Sequence, residues 1–344
     1  MLLPHKNTLL VVNIATVVAA CLIFLSSVFS NVEDDDRVRM LTTKFMFSER
    51  RSTNHGDSPR TQLSLCPTAG ANSKFAVATY LSSSTRVQKS LKWYILSACK
   101  LGKSIGHYAS SNLDLVLLLS EEPYAKVSNM DLNILEWSGW RICRVPFIES
   151  KTHQVSNRFY DAKMFSKLNV WKLVEYEAVA MVDSDVLAMQ SPMPLFELVW
   201  PTMQGQGYSF GAGYDYPMAG TSRNLLQQMF GWCGPAWDKY NGGVFLLKPS
   251  HATFERLAYL MNEEGTYDPE TSEQALLNYA FKNETYVLDF AYNANLVVKY
   301  CARDFYENEK AGIVFLHFTV AKPWDAAGCK SNGIEEECRL WESL

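Results

Sequence analysis

At 344 residues, 48% hydrophobic and 13% aromatic, the chain has an ordinary globular composition and can bury one sizeable core. With 32 Lys and Arg against 36 Asp and Glu its net charge is −4, so there is no basic excess to make nucleic acid the main partner, and anionic ligands must be met by local positive charges. Leu9 to Phe29 carries no charged residue, and as a helix it spans about 30 Å, the thickness of a bilayer core. His5 and Lys6 precede it, and Glu33, Asp34, Asp35 and Asp36 follow. That asymmetry reads residues 1–8 as a cytosolic tail, 9–29 as a signal-anchor transmembrane helix and the rest as lying across the membrane. Ser26, Ser27 and Ser30 leave a cleaved signal peptide as the alternative, and either way the body enters the secretory lumen.

Residues 30–72 are polar, with scattered Ser, Thr and Pro, and read as a flexible stem. Beyond Cys21, the cysteines Cys66, Cys99, Cys143, Cys233, Cys301, Cys329 and Cys338 form an odd set, so at least one thiol stays unpaired in a monomer. Cys329 and Cys338 are close enough to staple the C-terminal tail. No C-x-x-C occurs, so a zinc site is not expected. Asn283, Glu284 and Thr285 form a glycosylation sequon, usable only in the lumen.

The body, 73–344, opens on an expected strand at Phe75–Tyr80 and a helix over about Arg86–Leu101. A second strand at Leu113–Leu119, a helix over about Glu122–Trp137, a strand at Arg141–Val145 and helical sequence from Phe159 to Tyr176 follow. Ala178–Val182 is the next buried strand. Strands alternating with helices imply an α/β fold with a mostly parallel sheet, of a nucleotide-binding type. Farther on, strands are expected at Tyr208–Tyr214, Tyr240–Leu247, Tyr286–Leu288 and Ile313–Phe318, with helices near Thr253–Met261 and Ser272–Phe281. Gly205, Gly207, Gly211 and Gly213 either let a ligand or chain approach the backbone or simply bend it.

The apolar run Ala178–Val182 stops abruptly at Asp183, Ser184 and Asp185. In open α/β sheets ligands bind outside the carboxyl ends of strands, and two carboxylates beside a core need a cation or donors to neutralise them. Mn2+ or Mg2+ carrying a phosphate suits them. A D-x-D alone is also a common strand-ending turn.

Five blocks in order decide between these readings: F-S-K-L-N-V-W at Phe165–Trp171, M-V-D-S-D at Met181–Asp185, Y-N-G-G-V-F at Tyr240–Phe245, S-E-Q-A-L-L-N at Ser272–Asn278 and H-F-T-V-A-K-P-W at His317–Trp324. Over about Lys74–Asp325 the chain resembles glycosyltransferase family 8, in its glycogenin-like branch. The resemblance implies a GT-A type fold, a mixed and mostly parallel sheet with a Rossmann-like nucleotide-binding half, and retaining transfer of a sugar from a UDP-sugar with Mn2+. By it Asp183, Asp185 and His317 hold the metal. Lys322 holds the diphosphate, Lys167 sits near the reaction centre with Arg158 before it, and Ser184 joins the donor-binding set. Asn241 touches the donor sugar, with Gly242 and Gly243 keeping the backbone close. Glu273 and Gln274 contact the sugar near its reacting face, Asp268 or Glu270 supplies a hydroxyl contact, and Thr79 meets uridine.

Glu273 and Asp215 are conceivable nucleophiles for double displacement. The matched blocks favour a front-face route instead, in which the leaving phosphate oxygen takes the acceptor proton while Gln274 and Lys167 stabilise the separating charges. Where the family commonly has glycine before K-P-W, this chain has Thr319, Val320 and Ala321. The anchor and stem point to a Golgi, single-pass type II enzyme acting on a lumenal glycan, glycolipid or protein. The alternatives are a self-glucosylating primer, with Tyr300 in an apolar strand after Tyr292 as acceptor, and an inactive glycan-binding pseudo-enzyme. A phosphatase or nuclease would need further carboxylates. Which sugar is transferred stays open.

Overall fold

The computed structural model describes residues 66, 70, 73–81, 88–108, 112–120, 127–151, 162–216, 236–267 and 271–344. The anchor, nearly all of the stem, Arg158, Asp268, Glu270 and Cys233 lie outside them. Among the described residues no helix is long and apolar enough to cross a membrane.

Strand β1 (Phe75–Leu81) is buried from Ala76 onward, which is why it reads as an unbroken apolar run: a central parallel strand is covered on both faces. Helix α1 (Gln88–Gly106) buries a broad face containing Leu91, Ile95, Leu96, Cys99 and Leu101. It continues past the expected end at Leu101. Strand β2 (Leu113–Ser120) pairs parallel to β1 with Phe75 opposite Leu113. Helix α2 (Asn129–Trp137) starts later than its sequence suggested because Ser128 caps it. The Ser128 hydroxyl accepts from the Asp131 N–H while the Asp131 carboxylate receives the Ser128 N–H, a reciprocal box that stops the helix there. Strand β3 (Arg141–Val145) completes the parallel edge beside β2.

The helix expected over Phe159–Tyr176 is instead a 3-10 segment, Ala162–Lys172. A 3-10 helix repeats every three residues, so the fully buried Phe165, Leu168 and Trp171 line up in one row, which an α-helix would fan apart. Trp171 stacks against Phe245 at 5.6 Å and Phe281 at 6.1 Å between ring centroids. This anchors the segment over the core. Strand β4 (Ala178–Val182) pairs parallel to β1, and the very short β5 (Val186–Ala188) follows directly.

A wide helical turn at Leu195–Val199 leads into α3 (Trp200–Gly205), then β6 (Phe210–Asp215) and the long β7 (Ala236–Leu247). The glycines here bend and pack the backbone rather than admit a ligand. Gly207 has φ +84°, and a Cβ on Gly211 would press on the Met203 side chain at 3.0 Å. Helices α4 (His251–Met261) and α5 (Ser272–Ala280) precede β8 (Thr285–Val287), β9 (Ala294–Asn295) and β10 (Phe315–His317). Helices α6 (Ala326–Ser331) and α7 (Glu335–Ser343) close the chain. Tyr300, expected in a strand, lies instead in the short helix Val297–Cys301 and is exposed, because only a two-residue strand precedes it.

The main sheet has the order β3-β2-β1-β4-β7-β6-β8. Its β3-β2-β1-β4 half is parallel and β7 runs antiparallel to both β4 and β6, so the sheet is mixed and mostly parallel. The order turns back on itself between β1 and β4, the kind of crevice where such sheets bind ligands. A second sheet, β5-β10-β9, stands at that mouth. Cys66 is bonded to Cys143 and Cys329 to Cys338, Cys301 is also disulfide-bonded, and the buried Cys99 is the free thiol among the described residues.

Candidate active site

Everything at the site follows from where β4 ends. The Asp183 N–H still donates to the Gly243 carbonyl of β7 at 2.7 Å, so the ladder holds the chain until the side chains clear the sheet. Two residues later the chain joins the second sheet, where His317 lies opposite Val186 and the Phe318 N–H donates to the Asp185 carbonyl at 3.1 Å. That crossing carries His317, far away in sequence, to Asp185: its Nε2 is 3.8 Å from Oδ1. One ligand atom each from Asp183, Asp185 and His317 falls within 4.8 Å of the others.

Both carboxylates are met by ammonium groups. Lys322 reaches Asp185, and Lys167 Nζ lies 2.6 Å from Asp183 and 2.7 Å from Glu273 Oε1. Burial alone would strip charge from Lys167, but the two carboxylates raise its pKa well above the usual lysine value. Lys322 is raised as well, burial being outweighed chiefly by Asp185. The Asp185 carboxyl is held below its ordinary range, Lys322 and His317 overcoming its burial. Burial raises the Glu273 carboxyl: Lys167 opposes that, but its charge is shared with Asp183. Glu273 Oε2 is buried and has no hydrogen-bond partner among the described residues.

Beside the metal set, the Y-N-G-G turn of β7 and helix α5 interlock. The Gly242 N–H donates to Gln274 Oε1 at 2.8 Å, and the Gly243 N–H to Asn241 Oδ1 at 2.9 Å. The amide nitrogens of Gln274 and Asn241 then both donate to Asp215, at 3.2 and 3.0 Å. Asn278 clamps Tyr240 from the next turn of the helix, donating to its carbonyl at 2.8 Å and accepting from its N–H at 2.6 Å. Ser272, at the first turn of α5, holds φ 49°, a left-handed conformation unusual without glycine, immediately before the two residues that face the site. Gly243 is obligatory for a steric reason: a Cβ there would run into the His317 ring.

The structure therefore brings together Asp183, Asp185, His317, Lys167, Lys322, Glu273, Gln274, Asn241 and Gly242. Ser184 is buried between the carboxylates. Thr79 is fully buried near the end of β1, and its hydroxyl has no partner among the described residues. Arg158 and Asp268 lie outside the described residues. Two participants escaped sequence reading. Asn293 donates to Asn241 Oδ1 at 3.0 Å and faces His317 Nδ1 at 3.0 Å. Tyr94, on α1, packs edge-on to Trp324 at 5.1 Å, and its pKa is raised by burial, with the charges of Lys322, Asp185 and Asp183 acting on it. Neither stands in a motif; Trp324 in K-P-W was the one available signal for Tyr94. Thr319, in place of glycine, uses its hydroxyl to reach Asn295 of β9.

The donor set fits a divalent cation. Two carboxylate oxygens and an imidazole nitrogen suit Mn2+ or Mg2+, and two ammonium groups already stand in for positive charge on those carboxylates.

Among known proteins, the chain is 26% identical to "Glycogenin" of Neurospora crassa over 170 residues, 49% of this chain and 21% of that protein. It is 26% identical to "Galactinol synthase 4" of Arabidopsis thaliana over 191 residues, 51% of this chain and 54% of that one. The chain thus spans about half or less of the length of these curated relatives. The solved structure of the WbbM bifunctional glycosyltransferase superposes with a TM-score of 0.53 at 14% identity, covering 81% of this chain and 53% of that one, a likeness of fold. The profile of glycosyl transferase family 8 matches residues 90–328, which takes in the D-x-D turn, both glycines of β7, the start of α5, His317 and Lys322, and the chain belongs to that family, one of retaining UDP-sugar transferases.

Proposed function

We propose that this protein transfers a hexosyl-type sugar from a UDP-sugar to a glycan, glycolipid or protein acceptor, with retention at the anomeric carbon and with Mn2+, or Mg2+, as cofactor. The observation that carries the reading is the convergence of Asp183, Asp185 and His317 with two buried ammonium groups at one sheet mouth. The residues 9–29 anchor and the stem support a lumenal, Golgi setting, with the catalytic domain held off the membrane.

A bound divalent ion supplies Lewis-acid stabilisation of the departing diphosphate. Asp183, Asp185 and His317 would hold it. Lys322 would then exchange Asp185 for the diphosphate, keeping a fixed positive charge where negative charge develops. Lys167 stays clamped by Asp183 and Glu273, and the amide of Gln274 is oriented by the Gly242 N–H. Asp215 accepts from the amides of Asn241 and Gln274, and Glu273 holds Lys167 through Oε1 while its Oε2 has no partner among the described residues. We take the front-face route, in which the leaving phosphate oxygen takes the acceptor proton, on the placement of Lys167 and Gln274 beside the metal set. Trapping a sugar covalently on Asp215 or Glu273 would overturn that route.

The test is UDP release by the detergent-solubilised full chain, offered a panel of UDP-sugars with Mn2+ and candidate acceptors. Release with one sugar, abolished in Asp185→Ala at unchanged folding, is expected. No release from any donor, with the sugar-binding fold intact, would favour a pseudo-enzyme. Exposed Tyr300 keeps one further outcome concrete: a mass increment from UDP-glucose without acceptor, lost in Tyr300→Phe, would point to self-glucosylation.

A further inference from the structure

We propose that Asn293, backed by Asn241, is the positioning residue that holds His317 as its Nδ1–H tautomer and so turns the Nε2 lone pair toward the cation site. The inference rests on the reading of His317 as a metal ligand given above, and it concerns which nitrogen of the neutral ring carries the proton.

The chain of assignments starts at a group with no ambiguity. A backbone N–H only donates, so the atom of Asn241 that lies 2.9 Å from the Gly243 nitrogen is Oδ1. The Asn241 nitrogen then faces Asp215 Oδ1 at 3.0 Å, as it must, because a carboxylate oxygen accepts. Asn241 Oδ1 lies also 3.0 Å from the Asn293 amide, so Asn293 presents Nδ2 to it and turns its own Oδ1 to His317 Nδ1 at 3.0 Å. An acceptor oxygen at that distance requires a proton on Nδ1. In a neutral imidazole the other nitrogen then carries only a lone pair, and Nε2 is the atom 3.8 Å from Asp185.

Reversing the Asn293 amide would let its nitrogen donate to a bare Nδ1, but it would set two oxygens 3.0 Å apart at Asn241, whose own Oδ1 is fixed by the Gly243 N–H. With Asn293 only 3% and His317 5% exposed, no solvent is at hand to repair such a mismatch. The ring plane is held independently, since it packs where a Cβ of Gly243 would be. Without Asn293 the nearest acceptor for the ring proton is Asp185, on the Nε2 side. The proton would move there and block the nitrogen that should ligate. Partners of this kind, behind a histidine ligand, are worth about 10–100-fold in metal affinity.

The test uses the full chain labelled with ring-15N histidine and free of metal, the His317 signals among the six histidines being identified by their loss in His317→Gln. Long-range proton–nitrogen spectra should show Nδ1 protonated and Nε2 bare in the wild type. Asn293→Leu should move the proton to Nε2 and weaken Mn2+ binding, read by electron paramagnetic resonance titration, about 10–100-fold. Asn293→Asp, protonated on the oxygen that faces Asn241 Oδ1, keeps an acceptor oxygen opposite Nδ1 and should keep the Nδ1–H ring. An Nε2–H ring in the wild type, or an Asn293→Leu protein unchanged in both tautomer and Mn2+ affinity, overturns the inference. Should Asn293→Leu not fold, the wild-type and Asn293→Asp spectra decide alone. A wild-type Nδ1–H ring in a protein that binds no Mn2+ would instead overturn the metal reading, and with it the purpose given to Asn293.

Discussion

Lys167 is buried, and its ammonium is shared by Asp183 and Glu273, so its charge is the counterion for a site that otherwise concentrates negative charge. Removing it leaves two carboxylates against an apolar core, and breaking a buried pair by deleting one partner costs about 3–5 kcal/mol. Lys167→Met should lose stability of that order in urea unfolding, and Lys167→Met/Glu273→Gln should recover part of it, because one orphaned charge is then gone. Additive losses in the double variant would show that Glu273 and Lys167 do not interact. The contribution of Lys167 itself is insensitive to ordinary pH: its folded pKa is raised, so its stabilisation is fully present below about 10.4 and fades only as pH climbs past that toward the folded value. At this scale the grouping of Asp183, Asp185, His317, Lys167 and Lys322 is legible as short sequence blocks, because the packing behind a block is specified too, as Asn278 behind Tyr240 shows. Asn293 was not readable: it lies in a single 3-10 turn, F-A-Y-N, with nothing in spacing or composition to separate it from a loop asparagine.

At the foot of the sheet, away from the metal set, one carboxylate ties four segments together. Asp114 of β2 accepts from the Gly70 N–H at 2.8 Å, the Ser73 hydroxyl at 2.7 Å and the Tyr176 hydroxyl at 2.8 Å, and it pairs with Arg141 of β3. Ser73 leads into β1 and Tyr176 into β4. Burial by itself would raise the Asp114 pKa, but these donors and the guanidinium outweigh it and leave it lowered. Its folded pKa lies below that of an unfolded aspartate, about 3.9, so the stabilisation is present above about pH 4 and lost as pH falls through the folded value. Asp114→Asn should therefore cost about 2–3 kcal/mol at neutral pH and flatten the acid limb of a Tm against pH curve, wild type and variant converging once the carboxylate is protonated. Curves that stay parallel would remove Asp114 from this role. Of the strands it joins, β1 and β4 are legible because they are central parallel strands with apolar runs covered on both faces. The second sheet was only partly legible: β10 falls within the strand expected at Ile313–Phe318, but β5, three residues, and β9, two, are too short for any period and exist by pairing with β10 rather than by local preference. The 3-10 character of Ala162–Lys172 is hidden for a different reason: a row of apolar residues every three positions, Phe165, Leu168 and Trp171, lies close to α-helical spacing.

At the scale of the described molecule, the C-terminal helices pack behind the turn that carries Lys322. Cys329 and Cys338 join α6 to α7, and the buried Lys299–Glu337 pair at 2.6 Å, with Tyr306 donating to the same carboxylate at 3.0 Å, seats α7 against the body. The free thiol beneath, Cys99, is buried in α1, and burial pushes its pKa up to about 12. Its peptide should thus resist alkylation at about pH 8 in the native protein and react fully once the chain is unfolded without reductant, because only a thiolate attacks. Labelling in the native state would mean that α1 opens. From α7, Trp341 is fully buried, its ring centroid 6.4 Å from Trp93 of α1 and 5.9 Å from Trp324. Trp324 in turn stacks on Trp93 at 6.0 Å, two residues after the lysine that meets Asp185. The last helix thus props the turn that carries Lys322. Trp341→Ala should cost about 3–5 kcal/mol as a large-to-small core substitution. If the prop matters to the site, it should also weaken UDP binding in the presence of Mn2+ under conditions where the variant remains fully folded, with Mn2+ affinity little changed because Asp183, Asp185 and His317 are held by the two sheets. Calorimetric titration of UDP into Mn2+-loaded wild type and Trp341→Ala separates the two effects. A variant that loses stability but binds UDP as the wild type does would leave α7 a purely structural element, and a variant that loses Mn2+ as well would mean the second sheet moves with it.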